Sequence, residues 1–178
     1  MCNPPSNNHL TTANQWESPN EVTDFAKWGI SFKLLMNDKR GREKLREFME
    51  KEYSSENLDF WEKCKTYKSA PKSQYRSRAN FIRRKFLSNE DTSSINSSSP
   101  FIHDLSKSIN SLDLQEVTPI NIDQKLRRDI EEAMEGDKKL DRWLFEDARQ
   151  HIHELMRTDT YPRFLKSDVY RNLLIGKK

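Results

Sequence analysis

The sequence predicts an all-α domain, and three observations support this fold class. Apolar residues recur at helical spacing in several segments, for example Tyr75, Ala79, Ile82 and Phe86. Only four glycines occur among 178 residues, and 33% of the residues are charged, which is typical of soluble, helix-rich proteins. No segment shows the alternation of apolar and polar residues that a half-buried strand would require.

Four helices are predicted in the first half of the domain. The first two are short and are separated near Gly29, and Gly41 is interpreted as a turn before the third. The fourth carries Trp61 and Cys64 and ends before Pro71, which cannot continue a helix. The apolar residues that define the first three helices are Val22, Phe25, Trp28, Phe32, Leu34, Leu35, Met36, Leu45, Phe48, Met49 and Tyr53.

The second half predicts further helices with clear boundaries. One begins at Asp123, a residue type that often caps helix N-termini, and ends at Gly136. The next carries the most regular apolar stripe of the chain, and Pro162 ends or bends it. The members of this stripe are Phe145, Ala148, Ile152, Leu155 and Met156. Apolar residues from Phe164 to Leu174 predict one or two short terminal helices.

Two segments depart from this helical pattern. Residues 1–20 are rich in Asn, Ser, Thr and Pro and predict a disordered tail, so the folded domain is expected to span residues 21–175. A Ser/Asn-rich insertion at about residues 88–117 has weak periodicity and is longer than most loops of compact domains. It is either a disordered insertion or a loop with one weak helix around Phe101–Ile109.

Composition argues against several classes of protein. The net charge is only +3, from 31 basic and 28 acidic residues, and the signs are interleaved, so no nucleic-acid partner is indicated. The sequence has no apolar run long enough to cross a membrane and no hydrophobic signal-peptide core. Cys2 and Cys64 are too few for a disulfide framework. A cytoplasmic protein is therefore expected.

Candidate catalytic groups are also scarce. His151 and His153 are two residues apart, so on a helix they point to different sides and cannot chelate one metal ion. Cys64 lies among apolar residues and is interpreted as a buried, inert thiol. Four glycines can hardly build a glycine-rich phosphate loop. The sequence therefore predicts no metal site, no cofactor and no active site of its own.

Three polar clusters remain, each at a predicted helix end beside large apolar residues. They are Glu52–Asn57, Thr118–Asp123 and Leu155–Ser167. Capping would explain any one cluster alone, for instance through Ser54 or Ser55 at the start of the fourth helix. Asp159 and Arg163 are four residues apart and would pair on a continuous helix. The joint presence of the three clusters suggests a binding surface.

The clusters lie in motifs that resemble the regulator of G-protein signalling (RGS) domain. The matching segments are EYSSENLDFW, INID and FEDARQHIHELMRTDTYPRFLKSDVY, in that order. The resemblance runs from about Asp24 to Leu174, with Ser88–Glu116 unmatched. The segments YPRFLKSDVY and FEDARQHIHELM most resemble the branch whose larger members also carry a G-gamma-like domain. No such domain is recognised in this sequence, so the partner of that domain is not expected here.

The resemblance implies about nine helices in two lobes, one of them an antiparallel four-helix bundle. It also implies that the chain binds GTP-bound Gα, of the inhibitory or a related class, and accelerates GTP hydrolysis by that partner. The family's Gα-binding positions map onto Glu52, Tyr53, Ser54, Glu56, Asn57, Asn121, Leu155, Asp159, Thr160 and Arg163. Asn121 would lie against the Gα glutamine that orients the attacking water, and Asp159, oriented by Arg163, would accept hydrogen bonds from a switch segment.

Other interpretations stay open. The chain is alternatively an RGS-type scaffold that binds a signalling partner without accelerating hydrolysis. Thr160 replaces the Ser of many family members. The insertion could extend the interface, shield it, bind something else or be passive. Cys2 is a candidate lipidation site, but one lipid chain anchors weakly. Membrane contact is therefore expected to be indirect or weak, with recruitment to the inner face of the plasma membrane.

Overall fold

The computed structural model describes residues 19–88, 117–136 and 138–176, with side chains described from residue 25 onward. Cys2, most of the predicted tail and nearly all of the predicted insertion lie outside these residues. The first helix begins at Pro19, two residues before the predicted start of the domain.

Helices make up most of the described chain, and these residues contain no strand, which confirms the all-α prediction. The first four are α1 (Pro19–Ile30), α2 (Phe32–Asn37), α3 (Lys39–Lys51) and α4 (Glu56–Lys68). A 3₁₀ turn, Lys72–Gln74, leads into α5 (Tyr75–Ile82), which continues as a π-helical segment, Arg83–Leu87. After the insertion come α6 (Gln124–Met134) and α7 (Glu146–Leu155); a second π-helical segment, Met156–Thr160, joins α7 to α8 (Tyr161–Lys166), and α9 is Asp168–Leu174.

Several helices begin where a short polar side chain accepts a backbone hydrogen bond. Asp123 caps α6, as predicted, because its Oδ1 accepts from the backbone N–H of Lys125 at 2.6 Å. Asp38 caps α3 through the N–H of Arg40 at 2.9 Å. Gly136 has a φ of 65° and follows the end of α6, where glycine adopts the left-handed conformation without strain.

Helix α4 occupies the centre of one group of helices. Its buried residues are Leu58, Phe60, Trp61, Cys64 and Tyr67, and it packs against α5 and α7, while α6 packs against α7. The Tyr67 hydroxyl donates to the Asp141 carbonyl at 2.7 Å and so ties α4 to the α6–α7 connection. The predicted stripe of α5, from Tyr75 to Phe86, is buried in the same core.

A second group of helices joins the two ends of the described chain. Helix α1 packs against α2 and α9, and α3 packs against α8 and α9. The Tyr161 hydroxyl donates to the Trp28 carbonyl at 2.7 Å, and the Tyr170 hydroxyl donates to the Phe25 carbonyl at 3.1 Å. None of the helices in the described ranges is long and apolar enough to cross a bilayer.

The interpretation of Gly41 as a turn is wrong. Gly41 is buried within α3, and a Cβ at this position would overlap the carbonyl oxygen of Leu35 in α2. The chain turns instead at Asp38, which ends α2 and caps α3. Glycine is required here for close packing of two helices, a reason that the local sequence does not reveal.

We expect Gly41→Ala to lower the free energy of unfolding by about 1–3 kcal/mol, because the new methyl group overlaps backbone. At an exposed helix position the same change would add up to about 1 kcal/mol of stability, so the sign of the effect is diagnostic. Urea unfolding measures it. A variant as stable as the parent chain would show that α2 and α3 move apart at little cost.

Candidate protein-interaction site

The α3–α4 corner presents an exposed aromatic side chain in a strained backbone conformation. Tyr53 has a φ of 53° and is 95% exposed. Its N–H donates to the Glu50 carbonyl at 3.2 Å, and the N–H of Ser54 donates to the Met49 carbonyl at 2.9 Å. This pattern is a Schellman motif, in which glycine is the usual left-handed residue. A tyrosine costs more there, and its ring gains little packing.

The first turn of α4 leaves a hydrogen-bond acceptor without a partner. The Nδ2 of Asn57 donates to Glu56 Oε1 at 3.1 Å, whereas Asn57 Oδ1 is buried and has no hydrogen-bond partner in the described protein. Burial raises the pKa of Glu56. An unsatisfied buried oxygen is unfavourable in the free protein.

The predicted capping of α4 by a serine hydroxyl is not observed. Ser55 holds the N-cap position, but its side chain makes no capping hydrogen bond. The Ser54 hydroxyl instead donates to the Met49 carbonyl at 3.5 Å, at the end of α3. Serine at this corner therefore stabilises the exit from α3 rather than the start of α4.

Arg163 joins the first and third polar clusters. Its Nη2 donates to Asp159 Oδ2 at 2.7 Å, which is the predicted pair, and its Nη1 donates to Glu52 Oε2 at the end of α3. Asp159 and Arg163 are exposed and Glu52 is partly exposed, and ion pairs in contact with solvent add little stability. The network instead fixes the direction of the Asp159 carboxylate. The Glu52 contact was not predicted, because 111 residues separate the partners.

Asn121 lies on an extended segment beside the end of α5. The flanking residues Ile120 and Ile122 are buried, so the side chain between them is directed outward, and Asn121 is exposed. The N–H of Ile120 donates to the Phe86 carbonyl at 3.0 Å. Within the described ranges, no hydrogen bond connects Asn121 directly to the other two clusters.

The remaining predicted residues differ in their accessibility. Leu155 is 36% exposed at the end of α7, an unusual position for a member of an apolar stripe. Thr160 is only 4% exposed, so it does not share the surface of the other predicted contact residues. It ends the π-helical segment that precedes α8 and packs inside the protein.

The cysteine and histidine side chains that were considered as catalytic groups are buried, packed against aromatic rings or exposed without a catalytic partner in the described residues. Cys64 is buried, and burial raises the pKa of its thiol well above the usual value. His151 is exposed, while the His153 ring contacts Phe32 and stacks on Trp61. Burial and the nearby Arg149 lower the pKa of His153. No group of three metal-ligating side chains occurs in the part of the chain that is described.

Comparisons with known proteins agree with the motifs. The family described as "Regulator of G protein signaling domain" matches residues 31–117 and 112–173. Human regulator of G-protein signaling 6 is 34% identical over 152 residues, covering 85% of this chain and 26% of that protein. Human regulator of G-protein signaling 7 is 32% identical over 152 residues, 85% of this chain and 25% of that protein. Human regulator of G-protein signaling 10 is 30% identical over 168 residues, 94% of this chain and 77% of that protein. The chain thus spans about a quarter of the length of the first two relatives.

The conformation of Tyr53 gives a test of backbone strain. We expect Tyr53→Gly to be more stable than Tyr53→Ala by about 1 kcal/mol, because alanine retains the left-handed strain and glycine removes it. Both variants lack the ring, so the difference between their free energies of unfolding reports the cost of the left-handed backbone conformation. Urea unfolding of the two variants measures this difference. If the alanine variant were at least as stable as the glycine variant, the backbone at residue 53 would not be strained by a side chain.

Proposed function

The chain belongs to the regulator of G-protein signalling family, and on this premise we propose that it accelerates GTP hydrolysis by heterotrimeric Gα. The observation that supports this most directly is the pairing of Arg163 with Asp159 and Glu52, beside the exposed Tyr53. These groups suit the fixing of a partner's loop backbone. We propose a Gα of the inhibitory or a related class as the partner.

The mechanism follows from what Gα already contains. Gα supplies its own arginine in cis and a glutamine that orients the attacking water, so an activator need not insert a cation. It must hold flexible switch segments in the hydrolytic geometry, which lowers the barrier through positioning and electrostatics. This chain therefore acts on a partner's active site and needs none of its own.

Each contact residue has a role suited to its chemistry. Asn57 Oδ1, which is buried and unpartnered in the free chain, would accept a hydrogen bond from a switch backbone N–H after rotation of the side chain exposes it. Asn121, whose amide both donates and accepts, would lie against the Gα glutamine. Asp159, held in place by Arg163, would accept from a switch segment, and Tyr53 would supply apolar contact area.

The structure also refines the expected contact set. Thr160 is buried, so its contribution would be indirect, through the packing that precedes α8. Glu52 would act mainly through Arg163, which it holds from the end of α3. The surface expected to touch Gα directly is therefore formed by Tyr53, Ser54 and Glu56–Asn57 with Asn121, Leu155, Asp159 and Arg163.

Single-turnover GTP hydrolysis by a purified inhibitory-class Gα tests the proposal. At saturating chain we expect strong acceleration, which the double variant Asn57→Ala/Asn121→Ala largely loses. Each unsatisfied contact costs about 1–3 kcal/mol, or roughly 5- to 150-fold in rate. The matched control is Asn37→Ala/Asn172→Ala, which makes the same chemical changes at exposed positions outside the site and should leave the acceleration unchanged.

Two outcomes would contradict the proposal. If the folded chain accelerates no member of a panel of Gα classes, it is not an activator for them, and binding to activated Gα would then identify a scaffold. If the control double variant loses as much activity as the site double variant, the effect does not come from the proposed surface.

The proposed partner also sets the proposed location. We place the chain in the cytoplasm, with recruitment to the inner face of the plasma membrane through Gα. Cell fractionation should show more of the chain with membranes when Gα is activated, and less of this increase for Asn57→Ala/Asn121→Ala. Equal membrane association of both chains would point to attachment that is independent of the site.

A further inference from the structure

The segment that carries Asn121 is hydrogen-bonded to the π-helical segment that follows α5. The π-helical segment ends at Leu87, and Ser88 is already extended, so the last carbonyls of this segment are available to other donors. The carbonyl of Lys85 accepts from the N–H of Thr118 at 2.8 Å, and the carbonyl of Phe86 accepts from the N–H of Ile120 at 3.0 Å. The chain that returns from the insertion is thereby attached to the helix that precedes it.

Arg127 also connects these two segments, through hydrogen bonds from its guanidinium to a carbonyl in each. It lies in the first turn of α6 and is partly buried. Its Nη1 donates to the Leu87 carbonyl, and its Nη2 donates to the Ile120 carbonyl at 3.3 Å. The planar guanidinium fork can hold two acceptors in a fixed relation. It therefore connects the end of α5 to the residue that directly precedes Asn121.

We infer that Arg127 is a positioning residue for Asn121, an inference that rests on the function proposed above. The Asn121 side chain makes no hydrogen bond within the described protein, so its place depends on the backbone that carries it. Asparagine is short and cannot compensate for a displaced backbone. A misplacement of about 1 Å can reduce catalysis by roughly a hundredfold. Arg127 acts through the Ile120 carbonyl and does not itself contact the reacting atoms.

Arg76 provides a matched control for a purely structural role. Its guanidinium also donates to backbone carbonyls, those of Met134 at 2.7 Å, Gly136 at 3.0 Å and Lys138 at 2.7 Å. It joins α5 to the opposite end of α6, away from Asn121. Arg76→Met and Arg127→Met therefore both remove hydrogen bonds from a guanidinium to backbone carbonyls, and only Arg127→Met removes one beside Asn121.

A double-mutant cycle tests whether Arg127 acts through Asn121. At saturating chain, Arg127→Met should reduce the acceleration of Gα hydrolysis about tenfold. In the Asn121→Ala background the same change should cost less than about twofold, because residues that act as a unit are not additive. Arg76→Met should cost less than about twofold in both backgrounds. An equal loss from Arg127→Met in both backgrounds would overturn the inference.

Arg127→Lys keeps the test decisive if Arg127→Met does not fold. Lysine retains one donating cation and loses the second branch of the fork. With Asn121 present, Arg127→Lys should therefore reduce the acceleration of hydrolysis, but by less than Arg127→Met does. In the Asn121→Ala background its effect should be small. If Arg127→Lys reduced the acceleration equally with and without Asn121, the inference would be overturned, as it would be by the same result for Arg127→Met.

Amide hydrogen exchange supplies a readout that needs no partner. Arg127→Met, or Arg127→Lys if only that variant folds, should speed exchange at Thr118 and Ile120, whereas Arg76→Met should leave both rates unchanged. Unchanged exchange in the Arg127 variant would overturn the inference. If the parent chain accelerates no Gα, the proposed function fails. Faster exchange at Thr118 and Ile120 would then still establish that Arg127 holds this segment.

Discussion

Burial of one face of α4 is the constraint on which the rest of the structure depends. Trp61, Cys64 and Tyr67 direct this helix into the core, where it packs against α5 and α7. The same packing fixes the position of the first turn of α4, which carries Glu56 and Asn57. Hydrophobic burial contributes most of the stability of a domain of this size, so the proposed binding surface takes its geometry from the core beneath it.

The site is assembled from the ends of helices rather than from their faces. Tyr53 follows α3, Asn57 lies in the first turn of α4, and Leu155 ends α7. Helix ends carry backbone groups without partners in the helix, and short polar residues collect there to satisfy them. In this protein several of these residues serve both the chain itself and the proposed partner. Ser54, for example, donates a hydrogen bond to the end of α3 and is also a member of the proposed contact surface.

The accuracy of the sequence-based predictions followed the range of the interaction concerned. Asp123 as a cap and the Asp159–Arg163 pair were predicted correctly, because both depend on residues two to four positions apart. The Glu52–Arg163 contact was missed, because it joins distant segments. Gly41 was misread as a turn, since a glycine needed for helix packing has the same local sequence as a turn glycine. The inaccessible position of Thr160 also escaped prediction, because the π-helical segment shifts the helical register there.

The sequence by itself determined the helices, the apolar residues of the core and the motifs that identify the family. These depend on periodicity, capping and residue type, all of which are local. Only the tertiary structure decided which polar groups meet. It placed Arg163 between Asp159 and Glu52, left Asn57 Oδ1 without a partner and set Arg127 between the end of α5 and Ile120. The physical reason is that such contacts arise from packing between segments far apart in the chain, and no local pattern records that packing.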